Sequence, residues 1–303
     1  VTEHRPHIHK KEPRYLEDIT LAVDSSLPRQ QEDLFTSDRF LGLYDEKRLM
    51  GKLKKIGMIE ILSQRGYKNL RIRMAKQDNY TSRLYVDSTD FPGGDTRLVE
   101  LIVREGVFRP KKSFIPGFDF QEGLSMLLIE WLALQDPRAS FTEDKPRLPG
   151  QQYPGLGGLK NIQELLYIFG RDLEKDAIID IPEYYHAAVI YSRMYSEIYS
   201  RKYSFFSPMD AGTLEAIMRD LQGVPLAEAS FAVTFDCLLD ARTGERVKWK
   251  PSEQMYPLSK KLYRYFEQKE YRQILEDTMN GLSFTIDWER FRKLKEQGAM
   301  NEI

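Results

Sequence analysis

The stretch from Leu148 to Tyr195 limits the folds open to this chain more than any other. At its centre stands Gln152-Tyr153-Pro154-Gly155-Leu156-Gly157-Gly158. A nearly uninterrupted apolar run, Met126 to Leu134, leads towards it, and an amphipathic pattern, Leu159 to Leu173, leaves it. A second apolar run, Ala177 to Ile181, then passes through Pro182 into Glu183–Tyr191. The order is strand, glycine turn, helix, strand. Such a unit is suited to phosphate, because backbone N–H groups converge where the helix starts. Gly155, Gly157 and Gly158 keep side chains out of the approach, while Pro154 removes one donor. A tight structural corner is the competing reading of the same glycines.

The rest of the chain narrows the function classes. With 303 residues, 41% apolar and 12% aromatic, it can bury a substantial core in one large domain or two. Its 45 basic and 46 acidic residues leave a net charge of −1, so no global basic field draws nucleic acid or an anionic membrane. The single cysteine, Cys237, lies in an apolar run and reads as a buried inert thiol. It excludes an internal disulfide framework and a multi-cysteine zinc site. No stretch approaches the ~20 apolar residues of a membrane span, and no signal-peptide pattern opens the sequence, so a cytoplasmic location is expected.

Residues 1–36 read as an N-terminal arm. His4, His7 and His9 lie close together there without a following carboxylate or cysteine at metal-ligand spacing, ahead of a short apolar run, Ile19 to Val23. A helical pattern starts near Ser37 or Asp38, with Leu49, Leu53 and Ile56 on one face. A shorter turn follows Gly57 and closes at Gly66. The period then changes to two: Leu70, Ile72 and Met74, then Leu84 and Val86, then Leu98 to Val103. Asn79 and Pro92-Gly93-Gly94-Asp95 supply turns, so these strands should pair antiparallel. Arg71, Arg73 and Arg83 alternate with apolar positions and mark a solvated face rather than a nucleic-acid surface.

Further on, Arg109 to Phe120 is a loop. Met126 to Leu134 suggests a strand buried on both faces, interrupted only by Glu130. Arg138 to Pro149 is a polar connection. Helical spacing returns from Glu183 to Met194, Ser207-Pro208 breaks the chain, and Thr213 to Leu221 reads as a helix. Phe231 to Leu239 reads as a strand, and Ala241 to Gly244 as a hairpin turn into Val247-Lys248-Trp249. Beyond Pro257 the tail reads as helical. No internal repeat is present.

Neither G-x-x-x-x-G-K-S/T nor G-x-G-x-x-G occurs, so the glycine turn is not a standard nucleotide loop. Gln152, Gly155 and Gly157 after a buried strand, followed by a helix, a strand and Ala188-Val189-Ile190-Tyr191 with Phe205 or Phe206, resemble the coenzyme A-binding half of the GNAT acyltransferase superfamily. The resemblance covers roughly Leu70 to Phe206, with Phe231 to Trp249 as its closing hairpin. It implies a V-shaped splay between the strands at 126–134 and 177–181. The pantetheine arm of coenzyme A would pair with exposed strand backbone at Trp131, Leu132 and Ala133. The pyrophosphate would lie over Gln152, Tyr153, Gly155, Leu156, Gly157 and Gly158. The sequence departs from the family in three places. Arg138 to Leu148 intervene before the glycine turn, Tyr185 or His186 stands where the family has an asparagine, and the paired helices precede every clear strand unless Ile19 to Val23 is the first one.

Acyl transfer from a thioester needs an amine freed of its proton and an acid for the leaving thiolate. By the resemblance Tyr191 occupies the acid position, and a phenol of pKa about 10 can protonate a thiolate of pKa about 8.5. Glu130, an acid in a buried strand, fits a base or an ion pair with an arginine. His186, the one histidine outside the arm, has the right ordinary pKa for proton transfer but stands five residues from Tyr191. Ser-His-Asp hydrolysis lacks its G-x-S-x-G elbow.

The resulting expectation is an α/β (α+β) chain with a mixed, mostly antiparallel central sheet flanked by helices, of GNAT-like acyl-CoA N-acyltransferase fold. Its parts are the arm at 1–36, the α/β domain at 37–258 and a helical extension at 259–303. The expected activity is transfer of an acyl group from acetyl-CoA or another acyl-CoA to an amine on a small molecule or peptide. The alternative is a GNAT-like fold without catalysis that serves as a binding or regulatory module. Neither a nucleic-acid nor a membrane partner is expected. Tyr184 to Tyr203 could line a pocket for an aromatic or sugar-like acceptor, and the helix around Tyr263–Phe266 could bury against a second subunit in a homodimer.

Overall fold

Alternation of apolar and polar residues builds the first half of the sheet. The computed structural model describes residues 35–90, 96–196 and 201–301. His4, His7, His9, Ile19 to Val23 and the turn at 92–95 lie outside them. After a short strand β1 (Phe35–Thr36) come two helices, α1 (Glu46–Lys55) and α2 (Met58–Gln64), separated by Gly57 at φ +76°. The first helix starts later than Ser37 or Asp38. The chain folds back on itself between Phe40 and Tyr44, and Asp45 is the residue that caps Arg48. Strands β2 (Leu70–Lys76), β3 (Thr81–Ser88), β4 (Thr96–Phe108) and β5 (Leu124–Leu134) then run as an antiparallel meander in the expected order.

The crossover unit follows. Helix α3 (Leu159–Asp172) connects β5 to β6 (Ala177–Asp180), which pairs parallel to β5. Helix α4 (Tyr185–Arg193) leads to the short pair β7 (Tyr195–Ser196) and β8 (Arg201–Lys202), and then to β9 (Ser204–Phe205). Ser207-Pro208, expected to break the chain, instead opens helix α5 (Pro208–Asp220). Ser207 caps the Asp210 N–H, and proline fits the first helical position because no partner is needed there.

The expected strand Phe231 to Leu239 is overturned. Its first part belongs to helix α6 (Leu226–Thr234), and only Leu238–Asp240 forms a strand, β10. Ala227, Ala229, Phe231, Ala232 and Val233 are all buried, so a helix surrounded by core reads locally like a buried strand. The turn at 241–244 is present, with Gly244 at φ +72° and the Val247 N–H returning to the Leu238 carbonyl. The ladder partner of β10, however, is β12 (Phe284–Ile286), from the tail. Before that strand come β11 (Gln254–Pro257), α7 (Lys260–Phe266) and α8 (Lys269–Gly281). Helix α9 (Trp288–Glu296) follows it.

Among the described residues eight strands make one mixed, mostly antiparallel sheet in the order β1-β2-β3-β4-β5-β6-β11-β9. Leu84, Val86, Leu101, Leu127 and Ile178 pack against α1, α2 and α3 on one face. Met126, Leu128, Ile179 and Met255 pack on the other with α5, α6 and the tail. Residues of the expected extension, including Leu262, Tyr265, Phe284 and Phe291, share that second core with Phe205 and Ala211. Gly212 explains how closely α5 and α8 approach, since a Cβ there would stand 2.5 Å from the Leu275 carbonyl oxygen.

The strand arginines are not a free cationic face. Buried Asp87 accepts from Arg73 at 2.6 Å and from Arg97 at 2.5 Å, and the Arg97 guanidinium lies 3.9 Å from the Tyr85 ring centre. Arg71 alone of the three is exposed. Among the described residues no helix is long and apolar enough to cross a membrane.

Candidate functional site at the fork between β5 and β6

The parallel pairing of β5 with β6 begins at Met126–Ala177 and ends at Ile129–Asp180. There β6 stops, while β5 runs on to Leu134. The departure coincides with a β-bulge. Ile102 faces Trp131 and Val103 faces Ile129, which leaves Glu130 as the extra residue. A bulge bends its strand and sharpens the twist, and this one falls where the pairing of β5 with β6 ends. Burial follows the same break. Residues 126–129 are buried, whereas 130–134 are half-buried, so only the first part of the strand is enclosed on both faces.

The glycine turn closes the far end of the opening. Gln135 bridges to Gly155, the Leu156 N–H donates to the Leu134 carbonyl at 3.3 Å, and the Asp136 N–H donates to Pro154 at 2.8 Å. Between the fork and that bridge, Trp131, Leu132 and Ala133 have no strand beside them on the β6 side among the described residues.

Gly157 has φ +80°, and Gly158 has Met58 against it, since an added Cβ would meet the Met58 sulfur at 2.7 Å. These two glycines therefore serve the corner itself, and Leu156 is core. Gln152, Gly155 and Gly157 are exposed, and Tyr153 is half-buried. The first N–H groups of α3 open beside them without intrahelical acceptors. Arg65 adds a cation. Its Nη2 lies 3.6 Å from the position of a Cβ on Gly157, and its Nη1 pairs at 3.0 Å with Asp136, which also accepts from the Tyr67 hydroxyl at 2.6 Å.

The connection from Arg138 to Leu148 borders this opening and is held at both ends. The Arg138 guanidinium sits over the Tyr67 ring, and Arg147 donates to the carbonyls of Gln151 and Met300. Just past it, Gly150 lies against Tyr184, the residue before α4. A Cβ there would stand 2.8 Å from the tyrosine ring.

Beneath the fork, on the α3 face, is a buried polar cluster. Asp180 ends β6 opposite Gln254 of β11, and Gln163 projects from α3. The Tyr203 hydroxyl donates to Gln163 Oε1 at 2.8 Å, Tyr191 packs on Tyr203 with ring centres 5.0 Å apart, and Tyr167 stacks on Tyr256 at 4.1 Å. Asp180 Oδ2, Gln163 Nε2 and Gln254 Oε1 are buried without a hydrogen-bond partner among the described residues. Burial raises the Asp180 carboxyl to about 7, opposed by the Ile181 backbone N–H. The same desolvation, reinforced by the charge of Asp180, lifts the Tyr191 phenol well above its ordinary range. At neutral pH Asp180 can therefore take up or release a proton, while Tyr191 keeps its own.

The expected catalytic residues are thus only partly gathered. Tyr191 lies in the polar cluster. Glu130 stands at the bulge, but its carboxylate is ion-paired with Arg104, which also reaches Asp78 at 3.3 Å. His186 points elsewhere: its Nδ1 is 2.8 Å from Ser230 Oγ of α6, and burial lowers it to about 4, so it is neutral at pH 7. At 100° per residue, five residues rotate it about 140° from Tyr191, which directs it to the other core. Asp180 and Gln163 were not singled out from the sequence. An acid inside the apolar strand Ala177 to Ile181 was the available signal, of the same kind as Glu130. Among the described residues no three histidine, cysteine or acidic side chains cluster as metal ligands, and Cys237 is buried, with burial raising its thiol. Comparison with family models, curated proteins and solved structures found no match for this chain.

Proposed function

We propose that the fork holds the thioester form of coenzyme A and that the chain is a GNAT-like N-acyltransferase. The observation that carries this reading is the stretch of β5 that runs on past the end of β6, bounded by the bulge at Glu130 on one side and the glycine turn on the other. A strand edge of that length offers amide partners to an extended ligand. The start of α3, with Gly155, Gly157 and the Arg65 Nη2 that lies beside Gly157 while Nη1 is held by Asp136, offers N–H donors to an anionic group. The residues present fit the group on both counts. When bound, the thioester would supply an activated acyl group for attack by an amine.

The chain's own part is then orientation and proton handling. Asp180 accepts a proton near neutral pH from its buried position at the end of β6, and Tyr191 holds one for donation. Glu130 has a positioning role instead, because Arg104 ties it to the bulge that opens the fork. His186 has no part in proton transfer in this reading.

The test is thermal unfolding of the chain with acetyl-CoA, longer acyl-CoAs and desulfo-CoA. A ligand at one hundred times its Kd stabilises by about 2.7 kcal/mol. Absence of a shift with all of them removes the proposal. Where binding is seen, Tyr191→Phe and Asp180→Asn should keep the shift and slow transfer to amines. A GNAT-like binding module without catalysis is the second reading, favoured by the pinned connection at Gly150–Tyr184. Stabilisation by coenzyme A without turnover of any amine would select it.

A further inference from the structure

The other face of the same two strands carries a cavity of about 330 Å3, in the size range of small-ligand sites. Its floor is apolar: Met126 and Leu128 from β5, Ile179 from β6, and the buried rings of Phe108 and Phe206. Its rim is charged, and the charges are sorted by sign. Lys111 and Lys112 come from the segment that leaves β4, with Lys112 held over the Phe114 ring at 4.6 Å. Asp210 comes from the first turn of α5, beyond β9, and Glu253 immediately precedes β11. Among the described residues none of Lys111, Lys112, Asp210 and Glu253 makes an ion pair within 4 Å.

Strand order explains why they do not neutralise one another. In the sheet, β4 and β11 are separated by β5 and β6, so at a spacing of about 4.8 Å these two strands, near whose ends the rims start, stand roughly 14 Å apart. The gap between the charges is shorter, because lysine and glutamate side chains reach inward and the Phe114 ring beside Lys112 packs 6.0 Å from the Phe206 ring. A free amino acid carries its two charges too close together to meet both rims. An extended chain covers about 3.4 Å per residue, so roughly three residues match.

From this we infer a second ligand site, on the face opposite α3, for a short apolar peptide with free ends. Its ammonium group meets Asp210 and Glu253, its carboxylate meets Lys111 and Lys112, and its side chains lie on the floor of Met126, Leu128 and Ile179. The inference does not rest on coenzyme A binding.

Calorimetry of the full chain with trileucine, in the absence of any coenzyme A, tests it. Trileucine should bind, and N-acetylation or C-terminal amidation should each weaken it at least tenfold. Lys111→Ala with Lys112→Ala should weaken the free acid and leave the amide unchanged. Glu253→Gln should weaken the free amine and leave the N-acetylated peptide unchanged. These are rim residues, and unaltered thermal unfolding of the variants would show that the fold is kept. No binding of trileucine, equal binding of the doubly capped peptide, or equal binding of free leucine would each overturn the inference.

Discussion

Replacing Asp180 by Asn tests the physical chemistry of the fork most directly. A carboxyl raised from 3.8 to about 7 by burial is a cost to folding once the solution is basic enough to ionise it in the unfolded chain. Between about pH 4 and pH 7 the folded state retains a proton that the unfolded state has lost. Stability therefore falls as pH rises across that window and levels off above it. The full cost above pH 7 is about 4 kcal/mol, and it vanishes below about pH 4. His186 works in the opposite sense. Burial lowers it to about 4, so the unfolded chain binds the extra proton, and stability drops by about 3 kcal/mol as pH falls from about 6.5 through 4. The two slopes oppose each other over most of the same range. Asp180→Asn removes one of them. Urea unfolding at intervals from pH 4 to pH 8 should show variant and wild type close together at pH 4. By pH 8 the variant should be more stable by a few kcal/mol. A difference that stays constant with pH, or a variant less stable at pH 8, would refute the assignment of a desolvated carboxyl at this position.

Other consequences are as specific. Gly212→Ala drives a methyl into the α8 backbone at the Leu275 carbonyl and should cost about 1–3 kcal/mol in chemical denaturation. Asp87→Ala leaves Arg73 and Arg97 without their shared carboxylate. Because both arginines are partly exposed, the loss should be about 2 kcal/mol, below that of a fully buried pair, as read by thermal unfolding. Cys237, buried and with a raised thiol, should react with a thiol reagent at the rate of unfolding rather than at the rate of a free thiol. Fast labelling of the native protein would contradict its placement.

Much of the framework was legible because it is local. Strands β2 to β5 announce themselves by alternation or by an apolar run, and α3 by its amphipathic spacing. Gly57 and Gly66 punctuate α1 and α2 at positive φ, where glycine carries no steric penalty. Residues 231–239 misled because a short apolar run is the same string whether it is a strand in a sheet or a helix enclosed by core. Ser207-Pro208 misled for a different reason. The pair that ends one element also starts the next, and only the following backbone shows which it does.

The division between local and long-range information is clearest at the fork. Composition and spacing alone specified a strand, a glycine corner, a helix and a second strand, because propensity, turn chemistry and periodicity are properties of neighbours in the chain. They also marked an acid at Glu130 and a histidine at His186, while Tyr191 was singled out only by the family resemblance. Which of these meet depends on packing between segments far apart in sequence. The bulge against β4 sets Glu130 on Arg104, the helical phase of α4 turns His186 towards Ser230, and β11 arriving beside β6 seals Asp180 with Gln254 away from water. Desolvation is a collective property of everything that surrounds a group. The most perturbed carboxyl of the site therefore emerged only once the whole sheet was assembled around it.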